Sequence, residues 1–261
     1  MSSTPTATDS DVPNLIHCSY HKCLTVYFGR VMKAVFERCL PWSAGYRHFN
    51  SHLDAFYEDF HRYRLASVNN RALDLSRLGS FRLSRFIRDP RDLVVSGYFY
   101  HRRGAEGWVV QKAPTESDWY FANGRLPDAL RGSDLSFAEY LQEVPKEEGL
   151  LAELEFRAAH FESMAQWPAS HPDIVTFRYE DVVADGPGVF RSLFEFYRLR
   201  PVERGLANFF ARRYALGGRG ADPHIRNPAS GQWREHFTPR VRREFDTRYA
   251  GLVRQLGYSA D

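Results

Sequence analysis

At 261 residues, with 43% apolar and 26% charged side chains, the chain has ordinary globular usage and enough length for one substantial core. A formal net charge of +3 is far below that of a dedicated nucleic-acid binder and suits a small anionic ligand better. Three cysteines without a C-x-x-C pair argue against a disulfide framework or a zinc site, and no apolar run approaches the roughly 18 residues of a membrane span.

The polar start MSSTPTATDSDVP lacks the basic and apolar regions of a signal peptide, so we expect a cytoplasmic protein with no membrane, nucleic-acid or metal partner. Residues 1–12 are expected to be a disordered tail, and 13–261 a single domain. Asn14 to Cys18 is an apolar strand candidate, followed by a turn and a helical pattern over Leu24 to Leu40 that Pro41 ends. Leu65 to Val68 and Phe81 to Ile87 are further strand candidates. A helix from Leu93 to His101 follows Pro90, with Asp89 as N-cap. The stretch 102–134 is rich in Gly, Pro, Trp and charge and predicts an irregular insertion or lid. Helices are expected over Ser136 to Val144, Leu150 to Trp167, Val189 to Tyr197, Val202 to Tyr214 and Pro239 to Leu256, and a strand over Asp173 to Val182. Strands alternating with helices predict an α/β fold with a mostly parallel central sheet flanked by helices.

Four stretches carry chemistry. In SYHKCLTVYF, Lys22 sits in a turn between a strand end and a helix start, where free N–H groups and the helix dipole favour an anion; Thr25 adds a hydroxyl. The alternative is a solvated loop lysine, but lysine occurs only at positions 22, 33, 112 and 146, so basic surface here is normally arginine. The element is a P-loop-like strand-loop-helix, yet the nucleoside-triphosphate pattern G-x-x-x-x-G-K-[ST] is absent. In RDPRDLVVSGYFYH, Arg88 ends a strand and Ser96 follows eight residues later on a helix, both placed for a second phosphate; the rival is a salt-bridge cluster of Arg88, Asp89, Arg91 and Asp92. FRYED, at another strand end, brings Tyr179 toward the same cleft or into packing. RNPASGQWREHFT offers arginines and backbone amides near Gly231.

Taken together, in order and spacing over residues 14 to 258, these stretches resemble the cytosolic-type sulfotransferase superfamily. SYHKCLTVY resembles its Y-P-K-S-G-T-T-W loop, RDPRDLVVS its R-[DN]-P-[RK]-D-x-x-x-S segment, RYEDVV its R-Y-E-D strand end, and RNPASGQWREHFT its R-K-G-x-x-G-x-W-[KR]-x-x-F-T. The resemblance implies 3'-phosphoadenosine-5'-phosphosulfate (PAPS) as co-substrate, 3',5'-adenosine bisphosphate (PAP) as product, and sulfuryl transfer to a hydroxyl of a small molecule or sugar. It implies Lys22 and Thr25 at the 5'-phosphosulfate. Arg88, Ser96 and Arg226 fall at the 3'-phosphate, with the backbone of Asn227 and Pro228. By the same resemblance Tyr179 would lie against the adenine, Tyr27 would replace the stacking tryptophan, and Phe209 or Phe210 would complete the slot. His21, Cys23, Leu24 and Val26 depart from the loop pattern, and Asn227-Pro228 replaces Lys-Gly in the last.

The general base is not where small-molecule members keep it: RLASVNNRALD, Arg64 to Asp74, has no histidine. The window after the first helix offers His48, His52, Glu58 and His61, of which His48 and then His52 are favoured; His101 reads as structural. The alternatives are a kinase-like phosphotransferase and a catalytically silent nucleotide-binding module. The acceptor pocket is expected between 43–61 and 102–134, where Trp108, Trp119, Tyr120 and Phe121 form an aromatic entrance or pack.

Overall fold

A computed structural model describes residues 12–215 and 228–259. Five strands form one sheet: β1 (Asn14–Ser19), β2 (Tyr46–His48), β3 (Leu65–Asn69), β4 (Phe81–Ile87) and β5 (Ile174–Arg178), in the order β2-β3-β1-β4-β5. Every pairing is parallel, and the register sets Ser19 opposite Asn69 and His48 opposite Ser67. The expected α/β class with a parallel sheet is what the structure contains. Alternation along β1 explains its apolar run: Leu15 joins a core cluster with Phe28, Val31 and Phe86, whereas Ile16 and Cys18 join one with Phe56, Phe60 and Trp167. Both sheet faces are therefore covered.

Ten helices flank the sheet among the described residues: α1 (Thr25–Lys33), α2 (Leu53–Asp59), α3 (Pro90–Arg102), α4 (Phe137–Glu143), α5 (Lys146–Phe156), α6 (Ala158–Ala165), α7 (Tyr179–Phe196), α8 (Pro201–Tyr214), α9 (Trp233–His236) and α10 (Pro239–Gln255). Asp89 caps α3 as expected, its side chain accepting from Arg91 N at 2.9 Å with Pro90 in the first turn. α1 runs into a π-helical stretch, Ala34–Cys39, before Pro41.

Two expected spans are corrected. The strand stops at Arg178, and Tyr179 already opens α7, whose first turn carries Glu180 and Asp181 where the helix dipole favours acids. The helix expected over 150–167 is two helices joined at Arg157, whose guanidinium pairs with the buried Glu153 carboxylate one turn back. β2 and α2 were not anticipated.

The 102–134 insertion holds three 3-10 turns and is packed down: Trp119 is fully buried and Trp108 nearly so, both against Phe156. Side chains that follow β3 tie it in place, Asn70 Nδ2 donating to Ala122 O at 3.0 Å and Arg71 Nη2 to Tyr120 O at 3.2 Å. Trp108 and Trp119 are thus core groups, while Tyr120 and Phe121 stand exposed.

Candidate active site

Between β1 and α1 the chain turns through Tyr20 to Leu24. Lys22 (φ 73°) and Leu24 (φ 61°) are both left-handed, a conformation that costs an L-residue about 1–2 kcal/mol. Three contacts hold the turn: Cys23 N donates to Tyr20 O at 2.8 Å, His21 N to Asn70 Oδ1 at 2.7 Å, and Arg157 Nη1 to His21 O at 3.4 Å. Burial of the Leu24 side chain offsets part of the backbone cost. The N-cap residue of α1, Leu24, makes no side-chain cap, so the first N–H groups of the helix face the turn uncapped.

This turn opens into a cavity of about 380 Å³ at the C-terminal edge of the sheet. Lys22, Thr25, Tyr27, Arg88, Ser96, Tyr179 and His48 all line it, so seven sequence-derived site residues from four separate stretches meet in one place. His52, Glu58 and His61 are exposed and outside it. Arg226 and Asn227 lie outside the described residues; Pro228 is described, and its carbonyl accepts from Tyr179 Oη at 3.3 Å. Phe209 and Phe210 do not line the cavity. Tyr214, one helical turn further on, does, with Phe210 stacked on it at 5.7 Å and the Arg30 guanidinium over its ring at 4.7 Å.

Arg88 is the unusual group. It is 2% exposed, and its Nε and Nη2 have no hydrogen-bond partner among the described residues. Its guanidinium rests on the Tyr179 ring at 3.9 Å, which orients it without neutralising it. Its neighbours behave otherwise. Asp89 pairs with Arg91 at 2.7 Å, and Arg91 also donates to Ser259 O and stacks on Trp233. Asp92 accepts from Gly231 N at 2.6 Å and Trp233 N at 3.0 Å, pinning the last loop against α3. Of the four residues that could have formed a salt-bridge cluster, three are structural and Arg88 is left facing the cavity.

Lys22 Nζ stands 3.7 Å from the centre of the Tyr100 ring. Burial, then the charges of Arg103, Arg157 and Arg88, lowers its pKa to about 8, so it remains charged at neutral pH. Beside it, His21 Nε2 lies 3.2 Å from Glu106 Oε1, and Trp108 Nε1 donates to Glu106 Oε2. Burial pushes the Glu106 carboxyl up, but these two bonds and the neighbouring imidazoles outweigh it and hold the group ionised. Burial in turn lowers His21 to about 4. The imidazole is therefore neutral at pH 7, with Nε2–H donating. Behind His21 stands a layer closed to solvent: His101, stacked on it at 5.2 Å, bonds Glu153 at 2.6 Å, and Glu153 bonds Arg157 at 2.8 Å.

His48 is held by a relay of side chains. Thr25 Oγ1 meets Ser19 Oγ at 2.9 Å, Ser19 Oγ donates to Asn69 Oδ1 at 2.9 Å, Asn69 Nδ2 meets His48 Nε2 at 3.3 Å, and His48 Nδ1 meets Ser67 Oγ at 2.8 Å. Burial, with the Lys33 charge, lowers His48 to about 4. Asn69 and Asn70 thus stand where a histidine was sought after β3, and both serve the loop. Among the cavity's polar and charged groups not singled out as site residues are His21, Arg30, Asn50, Asn69, Tyr100, Arg103, Glu106, Tyr214 and Gln232; of these His21 carried a signal, as the departure from the proline of the motif. Among the described residues no group of three or more His, Cys, Asp or Glu is arranged to hold a metal ion.

Around one cavity of a parallel α/β sheet stand an uncapped helix start, a lysine and a buried arginine with two donors unpaired among the described residues, a set of groups whose chemistry suits an anion. The family model for the sulfotransferase domain matches residues 85–257, and the chain belongs to that family. No curated protein matches the sequence. Among solved structures, the chain is similar to mouse sulfotransferase SULT7A1 complexed with PAP, at 15% identity and a TM-score of 0.53, covering 97% of this chain and 87% of that one. It is also similar to retinol dehydratase in complex with androsterone and inactive cofactor PAP, at 15% identity, a TM-score of 0.44, and 97% and 84% coverage. At these identities the likeness concerns the fold.

Proposed function

We propose that the protein transfers a sulfuryl group from PAPS to a hydroxyl of a small molecule or sugar in the cytoplasm. The observation that carries this reading is Arg88: a buried guanidinium with two unpaired donors costs several kcal/mol unless an anion completes it. Arg88 and Ser96 would hold the 3'-phosphate, joined by Arg226 and the backbone at Asn227 and Pro228. Lys22, Thr25 and the first N–H groups of α1 would hold the 5'-phosphosulfate. Tyr27 and Tyr179 would flank the adenine; Tyr27 is fixed for that by its hydroxyl, which donates to Ala211 O at 2.6 Å.

PAPS supplies an already activated sulfuryl group, so the work left to the protein is placement and charge. By analogy with phosphoryl transfer, Lys22 offers its proton-bearing Nζ to the phosphate oxygen on which negative charge grows. Its charge at neutral pH and its support on Tyr100 suit that role. Of the residues considered as base, His48 enters this reading as a cavity group and His52 does not. The three cysteines are unpaired, as a reducing compartment would keep them. No described helix is long and apolar enough to cross a membrane.

The test is transfer of label from [35S]PAPS into a metabolite extract, with Lys22→Ala as the blank, alongside calorimetric titration with PAP and with ATP. Label transfer lost in Lys22→Ala, and PAP bound in preference to ATP, are expected. Preference for ATP would favour a kinase-like phosphotransferase; PAP binding without turnover would leave a silent nucleotide-binding module.

A further inference from the structure

We infer that His21 takes the proton of the acceptor hydroxyl, with Glu106 as the positioning residue that fixes its tautomer. The inference rests on the sulfuryl-transfer reading and names the group which that reading leaves open. Two histidines, His21 and His48, line the cavity with Lys22. His48 has neither nitrogen free. The amide Nδ2 of Asn69 can only donate, so His48 Nε2 accepts from it, and Nδ1 is engaged with Ser67. The Asn69 amide is itself oriented by Ser19, which donates to its oxygen.

His21 has the opposite arrangement. Its Nε2–H meets Glu106, which Trp108 holds from the other side, and its Nδ1 makes no hydrogen bond among the described residues. A carboxylate behind one ring nitrogen and an open lone pair on the other is the geometry of an oriented base. His21 also directly precedes Lys22, so proton acceptor and leaving-group cation share one clamped turn. The groups facing His21 are Glu106 from the insertion, Tyr100 and His101 from α3, Arg157 from the α5–α6 junction, and His160 from α6.

In the step, the acceptor's O–H bond breaks and its proton goes to His21 Nδ1. The acceptor oxygen bonds sulfur, the bond from sulfur to the bridging phosphate oxygen breaks, and that electron pair leaves on PAP beside Lys22. The resulting imidazolium is stabilised by the Glu106 carboxylate, and no other reactant is needed.

The experiment has two arms. With [15N]histidine, NMR of the ligand-free protein should find His21 as the Nε2–H tautomer, and Glu106→Gln should release it to a mixture of tautomers; an Nδ1–H tautomer in the unaltered protein overturns the inference. In the second arm, [35S]PAPS turnover with a metabolite extract should fall about 100-fold or more in His21→Asn, with PAP affinity within about threefold. Glu106→Gln should lose about tenfold and change the pH dependence of kcat, whereas His48→Asn should lose less than His21→Asn and keep that pH dependence. Turnover retained in His21→Asn, or lost more in His48→Asn, overturns the inference while PAP binding keeps the wider reading intact. Failure of PAP to bind the unaltered protein sinks the wider reading itself. Should His21→Asn not fold, the tautomer and turnover of Glu106→Gln decide.

Discussion

Arg88 and Arg157 are both arginines closed off from solvent, at 2% and 0% exposure, and they do opposite things. Arg157 sits beneath the turn with Glu153 at 2.8 Å, and Glu153 also holds His101, so its charge is matched where it lies. Arg88 lines the cavity with an aromatic ring beside it and no ion pair to a carboxylate among the described residues; the Asp92 carboxylate feels its charge but is taken up by Gly231 N and Trp233 N. Of these two charges, the one with its counter-ion in place lies within the fold, and the one without it faces the cavity. Space is tight around the matched pair, since a Cβ at Gly97 would collide with both Glu153 and Arg157.

The comparison is broken most sharply by stability. Arg157→Met strands the Glu153 carboxylate and should lower unfolding free energy by about 3–5 kcal/mol, read by urea denaturation. If Arg88→Met lowers it equally in the ligand-free protein, the distinction between the two arginines is wrong, because removing an unmatched charge should leave stability equal or higher. On the cavity side, Lys22→Met should cut transfer about 10²–10³-fold while the urea midpoint stays put. Arg88→Met should weaken PAP binding by about 2 kcal/mol, measured by calorimetry.

Smaller effects come from protons. Burial depresses His17, His21, His48 and His160 below the usual 6.5 in the folded state, so between about pH 4 and 6.5 the unfolded chain binds more protons. Stability should therefore be complete above pH 6.5 and fall as pH drops toward 4, seen as a urea midpoint lower at pH 5 than at pH 7. Lys22 moves the other way on ligand binding. An anion beside it raises a pKa that starts near 8, so PAP should bind with proton uptake around pH 8–9, detected as a buffer-dependent heat. Asp92→Asn, which loosens the hold on Gly231 and Trp233, should cost about 1 kcal/mol of stability.

What was legible in the sequence were the places where chemistry and local structure coincide. Arg88, Asp89 and Pro90 announce a strand end, an N-cap and a helix start in three consecutive residues, and all three hold. Lys22 was legible because lysine is rare here. β2 was not, since three residues with one exposed and one half-buried carry no period. The break at Arg157 was hidden because an arginine between apolar neighbours looks like any solvated helical residue until Glu153 is found beside it. Glu106 and Tyr214 reach the cavity by tertiary placement alone: one comes from an irregular insertion, the other from the last turn of α8, and neither spacing nor composition sets them apart.

The account stands most directly on Arg88 as the anchor of a 3'-phosphate. Calorimetric titration of the unaltered protein and of Arg88→Met with PAP and with 5'-AMP, which lacks that phosphate, isolates this contact. We predict that Arg88→Met weakens PAP at least about tenfold and leaves 5'-AMP within about twofold. Equal losses for the two nucleotides, or none for either, would contradict it.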